Sequence, residues 1–221
     1  MSLSVEYWFV DLQNSEQQSE KLFSLLNGDE KIRAKCFKFQ ELQHKFIVGR
    51  GCLRQILGFY LHQDPAKLNF FYNQYGKPKL NKISFNFSHT KQYAFCGVVQ
   101  KEAIAIGVDI EARERRNNVL ALAKRFFHSD EYIYLEQIKA EKRQATFLQI
   151  WTAKEAYLKA KGVGLQGGLD RFKVQLEPEP KIITPEKLDW SLKIFSKDSD
   201  HCQAIAVNYP DCDYINRGFW N

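Results

Sequence analysis

Three stretches of the chain carry a clear apolar rhythm. In Ile104 to Glu111 the pattern alternates. Ile104, Ile106, Val108 and Ile110 fall on one face of a strand, and Ala105, Gly107, Asp109 and Glu111 on the other. In Glu41 to Leu61, Phe46, Leu53, Ile56, Leu57, Tyr60 and Leu61 form the apolar face of a long helix, with His44, Lys45, Arg50 and Arg54 on its polar sectors. Glu141 to Lys161 reads as a second long helix. Phe147, Ile150, Trp151 and Leu158 share its core-facing sector, while Trp151, Glu155 and Lys159 recur every four residues along the border of that sector. Gly162 follows as a residue tolerant of positive φ, and Lys159 and Lys161 suit the negative end of the helix.

Shorter patterns fill the intervals. Val5–Leu12, Phe70–Tyr72, Ile83–Phe87, Tyr93–Val99, Phe172–Leu176, Trp190–Phe195 and Gln203–Val207 predict strands. Ser15–Leu26, the basic Glu30–Phe39 and Asn118–Phe127 predict helices, and Ser129 is the expected N-cap of another. Tyr75-Gly76-Lys77-Pro78 is turn chemistry, and Pro178 to Pro185 reads as a loop. A long helix followed by several short strands occurs twice. This predicts an α+β protein of two similar halves, residues 1–103 and 104–221.

Composition narrows the class. The chain has 221 residues, enough for a sizeable core, and 17 phenylalanines to fill it. Five scattered cysteines with no CxxC or Cys/His metal spacing predict reduced thiols and a cytoplasmic protein. No charged apolar leader opens the chain, and no apolar run is long enough to span a bilayer, so a membrane location is not expected. The net charge of +6 favours an anionic partner. No zinc-finger spacing or RNP-like strand points to nucleic acid.

The unusual face is that of the Ile104–Glu111 strand. Two small residues precede two carboxylates, with nothing bulky beside them. Neighbouring like charges on one strand face repel unless water or a cation separates them. Oxygen ligands in this number suit Mg²⁺, which is held by one or two carboxylates together with substrate phosphate. Glu155, brought across from the helix, would complete such a set with Asp109 and Glu111.

Gly107-Val108-Asp109-Ile110-Glu111 and Trp151-Thr152-Ala153-Lys154-Glu155-Ala156, with Lys159 beyond, resemble the two signature motifs of the 4′-phosphopantetheinyl transferases. The match is to the larger, surfactin-synthetase-activating type. Tyr75-Gly76-Lys77-Pro78, Phe85-Asn86-Phe87-Ser88-His89-Thr90, Arg125-Phe126-Phe127 and Lys161-Gly162-Val163-Gly164-Leu165 extend it, so the likeness runs from Val5 to Tyr209. The resemblance implies a pseudo-twofold pair of α+β halves with coenzyme A between them, in a monomer. It implies Mg²⁺-dependent transfer of the phosphopantetheine arm of coenzyme A to a serine of an apo acyl or peptidyl carrier protein, leaving 3′,5′-ADP.

Carried over residue by residue, the resemblance makes Asp109, Glu111 and Glu155 the metal ligands and Lys159 a charge on a phosphate oxygen. Glu155 is then the usual base, with Glu131 or a metal-bound hydroxide as alternatives; Glu131 reads equally as a first-turn acid. Ser88, His89, Lys77, Lys45 and Arg33 would meet coenzyme A, as would Asp109 through the metal. Lys45 stands where relatives usually carry Arg, which keeps the charge and loses the bidentate fork. Lys154 would either snorkel past the core or point to phosphate. Arg113, Arg115 and Arg116, with Leu120, Phe126 and Phe127 beyond, would receive an acidic carrier helix. Three competing readings remain: a non-catalytic coenzyme A binder, a basic nucleic-acid-binding protein, and another Mg²⁺-dependent phosphotransferase.

Overall fold

Two sheets lie face to face, each backed by one long helix. The computed structural model describes residues 2–13, 18–113, 118–195 and 200–220. In chain order the elements are β1 (Leu3–Asp11), α1 (Ser19–Ser24), α2 (Gly28–Lys35), α3 (Gln40–Leu61), β2 (Phe71–Tyr72), β3 (Pro78–Lys79), β4 (Ser84–His89), β5 (Tyr93–Val99), β6 (Ile106–Ala112), α4 (Val119–Phe126), α5 (Ser129–Gln137), α6 (Ala140–Lys161), β7 (Lys173–Gln175), β8 (Lys181–Ile183), β9 (Ser191–Phe195), β10 (His201–Val207) and β11 (Cys212–Phe219). The first sheet has the order β11-β1-β5-β4 and the second β6-β10-β9.

Strand alternation sorts the cores. From β1 and β5, Val10, Ala94, Cys96 and Val98 face α3, where they meet Val48, Leu53, Ile56 and Leu57. The opposite residues, Val5, Tyr7, Phe95 and Val99, face the other sheet, where they meet Ile106, Val108 and Ile110 of β6 and Ile205 and Val207 of β10. On the far side, Ala204 and Ala206 of β10 pack with Phe147, Ile150, Ala153, Ala156 and Leu158 of α6. Each strand therefore serves two cores through its two faces.

The halves repeat one connection. In each, a first strand leads to a long helix, then to two strands paired antiparallel, the last of which returns beside the first. That order gives β1-β5-β4 and β6-β10-β9. The terminal strand crosses the division: β11 pairs in parallel with β1 on the first sheet.

Several expectations change in detail. The strand expected over Phe172–Leu176 is shorter and stands apart from both large sheets. It is β7, which pairs only with β8, a strand inside the expected loop. His128, not Ser129, caps α5: its ring accepts from Asp130 N, and its own N–H is bonded by Glu131 in a reciprocal box. Arg54 is not on a solvated face. It is fully buried, its guanidinium held by Glu30 and by the carbonyls of Pro65 and Leu68. The start of the expected Ser15–Leu26 helix lies partly outside the described residues, which resume before α1.

Candidate active site

The site exists because α6 can lie very close to β6. A Cβ on Gly107 would stand 2.0 Å from the Ala156 carbonyl oxygen and 2.2 Å from the Ala160 nitrogen, so no side chain fits there. Ala153, Ala156 and Ala160 present the matching small side of the helix, all buried. With the backbones this near, the next residue on the same strand face, Asp109, comes within reach of the last turn of α6.

Lys159 Nζ donates to Asp109 Oδ1 at 2.6 Å and lies 3.9 Å from Glu155 Oε2. It also donates to Ser88 Oγ at 2.8 Å, and that hydroxyl donates onward to Asp109 Oδ1 at 2.9 Å. Ser88 comes from β4 of the other half, so both halves build the cluster. Two further side chains of β4, spaced by two, attach it to β6 and its approach. Asn86 Oδ1 accepts from Val108 N at 2.8 Å, and Ser84 Oγ from Ile104 N at 3.2 Å. Asp109 is 3% exposed, whereas the side chains of Glu155 and Lys159 keep 20% and 30% exposure. The cluster is thus anchored inside and open at its rim.

Asp109 Oδ2 is buried and accepts no hydrogen bond from the described residues. A charged oxygen without a partner in the interior is costly, so it marks a place for a donor or cation from outside the chain. The carboxylates here are oxygen donors, the kind that Mg²⁺ takes. Glu111 is half-buried on the same face of β6 as Asp109. Among the described residues no three His, Cys, Asp or Glu side chains are gathered into a ready-made cage. The ammonium of Lys159 instead lies between two of the carboxylates. This donor chemistry fits a cation that brings phosphate and water as its other ligands.

Two predicted site residues are elsewhere. Lys154 points from α6 into the core, fully buried, and donates to Glu131 Oε2 (2.8 Å), Leu169 O (2.7 Å) and Phe172 O (2.6 Å). Glu131 is buried too, its oxygens taken by Lys154, His128 N and Val174 N (2.7 Å). Burial pushes Glu131 upward against the pull of Lys154, and burial pushes Lys154 down. The two groups saturate one another and the adjoining backbone, so neither reaches the carboxylate cluster. The sequence places Lys154 inside the apolar sector, between Trp151 and Leu158, and leaves core and phosphate open; packing puts it in the core.

Lys77 also differs from expectation. Its ammonium donates to the carbonyls of Ile106 (2.8 Å) and Ala160 (2.9 Å), and burial, with Lys79 behind it, pushes it down to about 8. His89 is exposed at the end of β4. Arg33 is exposed, its guanidinium 5.2 Å from the Phe46 ring centre. Lys45 pairs with Glu41 one turn away on α3. Arg113 is described, its N–H bonded to Asp200 O at 2.8 Å; Arg115 and Arg116 lie outside the described residues. Sequence reasoning missed Asn86, whose position two before Ser88 on one strand was the available clue.

The family model of the 4′-phosphopantetheinyl transferase superfamily matches residues 105–206. The 4′-phosphopantetheinyl transferase HetI of Nostoc sp. is 36% identical over 94% of this chain and 89% of its own. The 4′-phosphopantetheinyl transferase Sfp of Bacillus subtilis is 25% identical over 92% of this chain and 91% of its own. Among solved structures, a holo-(acyl-carrier-protein) synthase from Bacillus anthracis in complex with CoA (3′,5′-ADP) aligns with a TM-score of 0.42 and 25% identity, covering 47% of this chain and 95% of that one.

Proposed function

This chain belongs to the 4′-phosphopantetheinyl transferase superfamily, and from that premise we propose the reaction and the roles of its residues. The protein transfers the phosphopantetheine arm of coenzyme A to a serine hydroxyl of an apo carrier protein. The serine oxygen bonds to the β-phosphorus of the coenzyme A pyrophosphate, the bond from that phosphorus to the bridging oxygen breaks, and 3′,5′-ADP leaves with that oxygen. The serine proton passes to a base.

The observation that carries this reading is the cluster in which Lys159 contacts Asp109 and Ser88 beside Glu155, with Asp109 Oδ2 unfilled. Phosphoryl-type transfer needs charge neutralisation and alignment more than covalent help from the protein. Lys159 supplies a fixed positive charge for the pyrophosphate, already oriented by two partners. Ser88 and His89 meet a phosphate from the β4 side, and Arg33 and Lys45 attract the nucleotide phosphates from the first half. Mg²⁺, held by Asp109, Glu111 and Glu155, would neutralise the remaining phosphate charge. Glu155, at the rim of the cluster with its side chain 20% exposed, is the acceptor for the serine proton. Glu131 is left out of this role because its oxygens are already engaged.

The two halves, residues 1–103 and 104–221, form the two walls of the cleft, and one copy of the chain suffices. Arg113, Arg115 and Arg116 receive the acidic carrier. No helix among the described residues is long and apolar enough to cross a membrane, and the five free thiols suit a reducing cytoplasm.

The test is the intact mass of an apo carrier after incubation with protein, coenzyme A and Mg²⁺. A gain of one phosphopantetheine group, absent with EDTA and absent with Glu155→Gln, supports the reading. Carriers of several kinds left unmodified, while calorimetry still records coenzyme A binding, would replace it with the non-catalytic binder.

A further inference from the structure

Residues 73–77 form a tight turn in the first half whose outward bonds go to the second. Within the turn, Asn73 Oδ1 accepts from Tyr75 N (3.0 Å) and Lys77 N (2.8 Å), and Gly76 holds φ at +82°. Outside it, Asn73 Nδ2 donates to Gly162 O at 2.8 Å. Lys77 Nζ donates to Ala160 O and to Ile106 O. The first two acceptors belong to the C-terminal end of α6, where helix carbonyls lack partners of their own. The third is the first residue of β6. A Cβ on Gly162 would come within 2.8 Å of Asn73 Nδ2 and 3.1 Å of Lys77 Cδ, so turn and helix end touch directly.

Among the described residues, no carboxylate pairs with the Lys77 ammonium. Its hydrogen bonds go to backbone, one at the negative pole of α6 and one at the start of β6. Such a bond set fixes geometry rather than balancing charge. The two elements it ties together are the two that carry the cluster: Ala160 follows Lys159, and Ile106 lies three residues before Asp109. The junction is also the one that Gly107 keeps narrow, under the Ala160 nitrogen.

We propose that Lys77 is a positioning residue for the transfer: with Asn73 it locks the end of α6 to the start of β6 and so sets the contact of Lys159 with Asp109. The proposal rests on the reading of that cluster as the transfer site. It assigns Lys77 a task other than direct contact with the nucleotide. The lock spans both halves, so the first half governs the geometry of a charge pair that lies wholly in the second.

Lys77→Met keeps the methylene stem against Gly162 and removes the donors. In carrier modification assays kcat should fall about tenfold while KM for coenzyme A changes by less than about twofold. Lys77→Arg, which restores donors, should recover part of kcat. In the free protein, amide hydrogen exchange at Gly162 and Val163, whose N–H groups bond to Leu158 O, should accelerate in Lys77→Met. Asn73→Ala should give the same pattern more weakly, which keeps the test intact if Lys77→Met folds poorly. A raised KM with kcat retained would overturn the proposal and place Lys77 on the nucleotide. Unchanged kcat and unchanged exchange would also overturn it. If the wild type transferred nothing while exchange still responded, the reading of the reaction would fall and the tie between turn and helix would stand.

Discussion

Lys154 and Glu155 are neighbours in sequence and point about 100° apart around one helix. Glu155 stands beside Lys159 at the rim of the cluster, and Lys154 is sealed in the core against Glu131. Removing one member of a buried ion pair strands the other. Glu131→Gln should therefore lower stability by about 3–5 kcal/mol, whereas the double change Glu131→Leu with Lys154→Met should recover most of the loss. Chemical denaturation of the two variants checks this. Glu30 makes a different prediction. Burial alone would raise its carboxyl, but the guanidinium of Arg54, with Arg50 beside it, holds it below the usual carboxylate range. The unfolded chain then binds the proton more readily than the native one. The stability that Glu30 contributes is present above the ordinary carboxylate range and drains away as pH falls through its lowered native value. Glu30→Gln should flatten the acid side of a melting-temperature profile against pH; an unchanged slope would contradict the assignment.

At the scale of elements, β6 and α6 were legible because each carries a strict period and a chemical oddity. The strand alternates isoleucine and valine with Gly107, Asp109 and Glu111, and the helix repeats Trp151, Glu155 and Lys159. What the pattern could not show is how close the two lie, since Gly107 reads as a small residue until the Ala156 carbonyl is placed over it. Gly107→Ala should push α6 off β6, cost roughly 3 kcal/mol or more, and abolish activity before it abolishes folding; a calorimetric melt beside an activity assay separates the two. β11 escaped detection for the opposite reason. Cys212–Phe219 is an edge strand with little burial, so its residues need no alternation, and its place is fixed by pairing with β1. Likewise Tyr75-Gly76-Lys77-Pro78 is readable as a turn, but the α6 partners of Asn73 and Lys77 are 83 or more residues away, and nothing local encodes them.

For the whole molecule, the repeated strand–helix–strand–strand order explains why the rhythm of two long helices was visible, and why the site forms where the halves meet. The second half supplies Asp109, Glu155 and Lys159, while β4 of the first supplies Ser88 and the clamp through Asn86. Asn86→Ala leaves the buried Val108 N–H without its acceptor, so it should cost about 1–3 kcal/mol and loosen the join between halves, readable as faster hydrogen exchange along β6. The net charge of +6 acts at this scale too. Raising salt should raise KM for coenzyme A and for an acidic carrier, with little change in kcat, because screening weakens attraction more than contact chemistry.

If phosphopantetheine transfer runs at the Asp109–Lys159 contact, both residues control its rate. The most direct measurement is the single-turnover rate of carrier modification, followed by intact mass, for wild type, Asp109→Asn and Lys159→Met, each shown to melt as a folded protein. The account predicts that both variants lose about 10²–10³ in rate, the scale of removing one preorganised electrostatic partner from a transition state. Transfer by folded Asp109→Asn and Lys159→Met at the wild-type rate would contradict it and move the active site elsewhere.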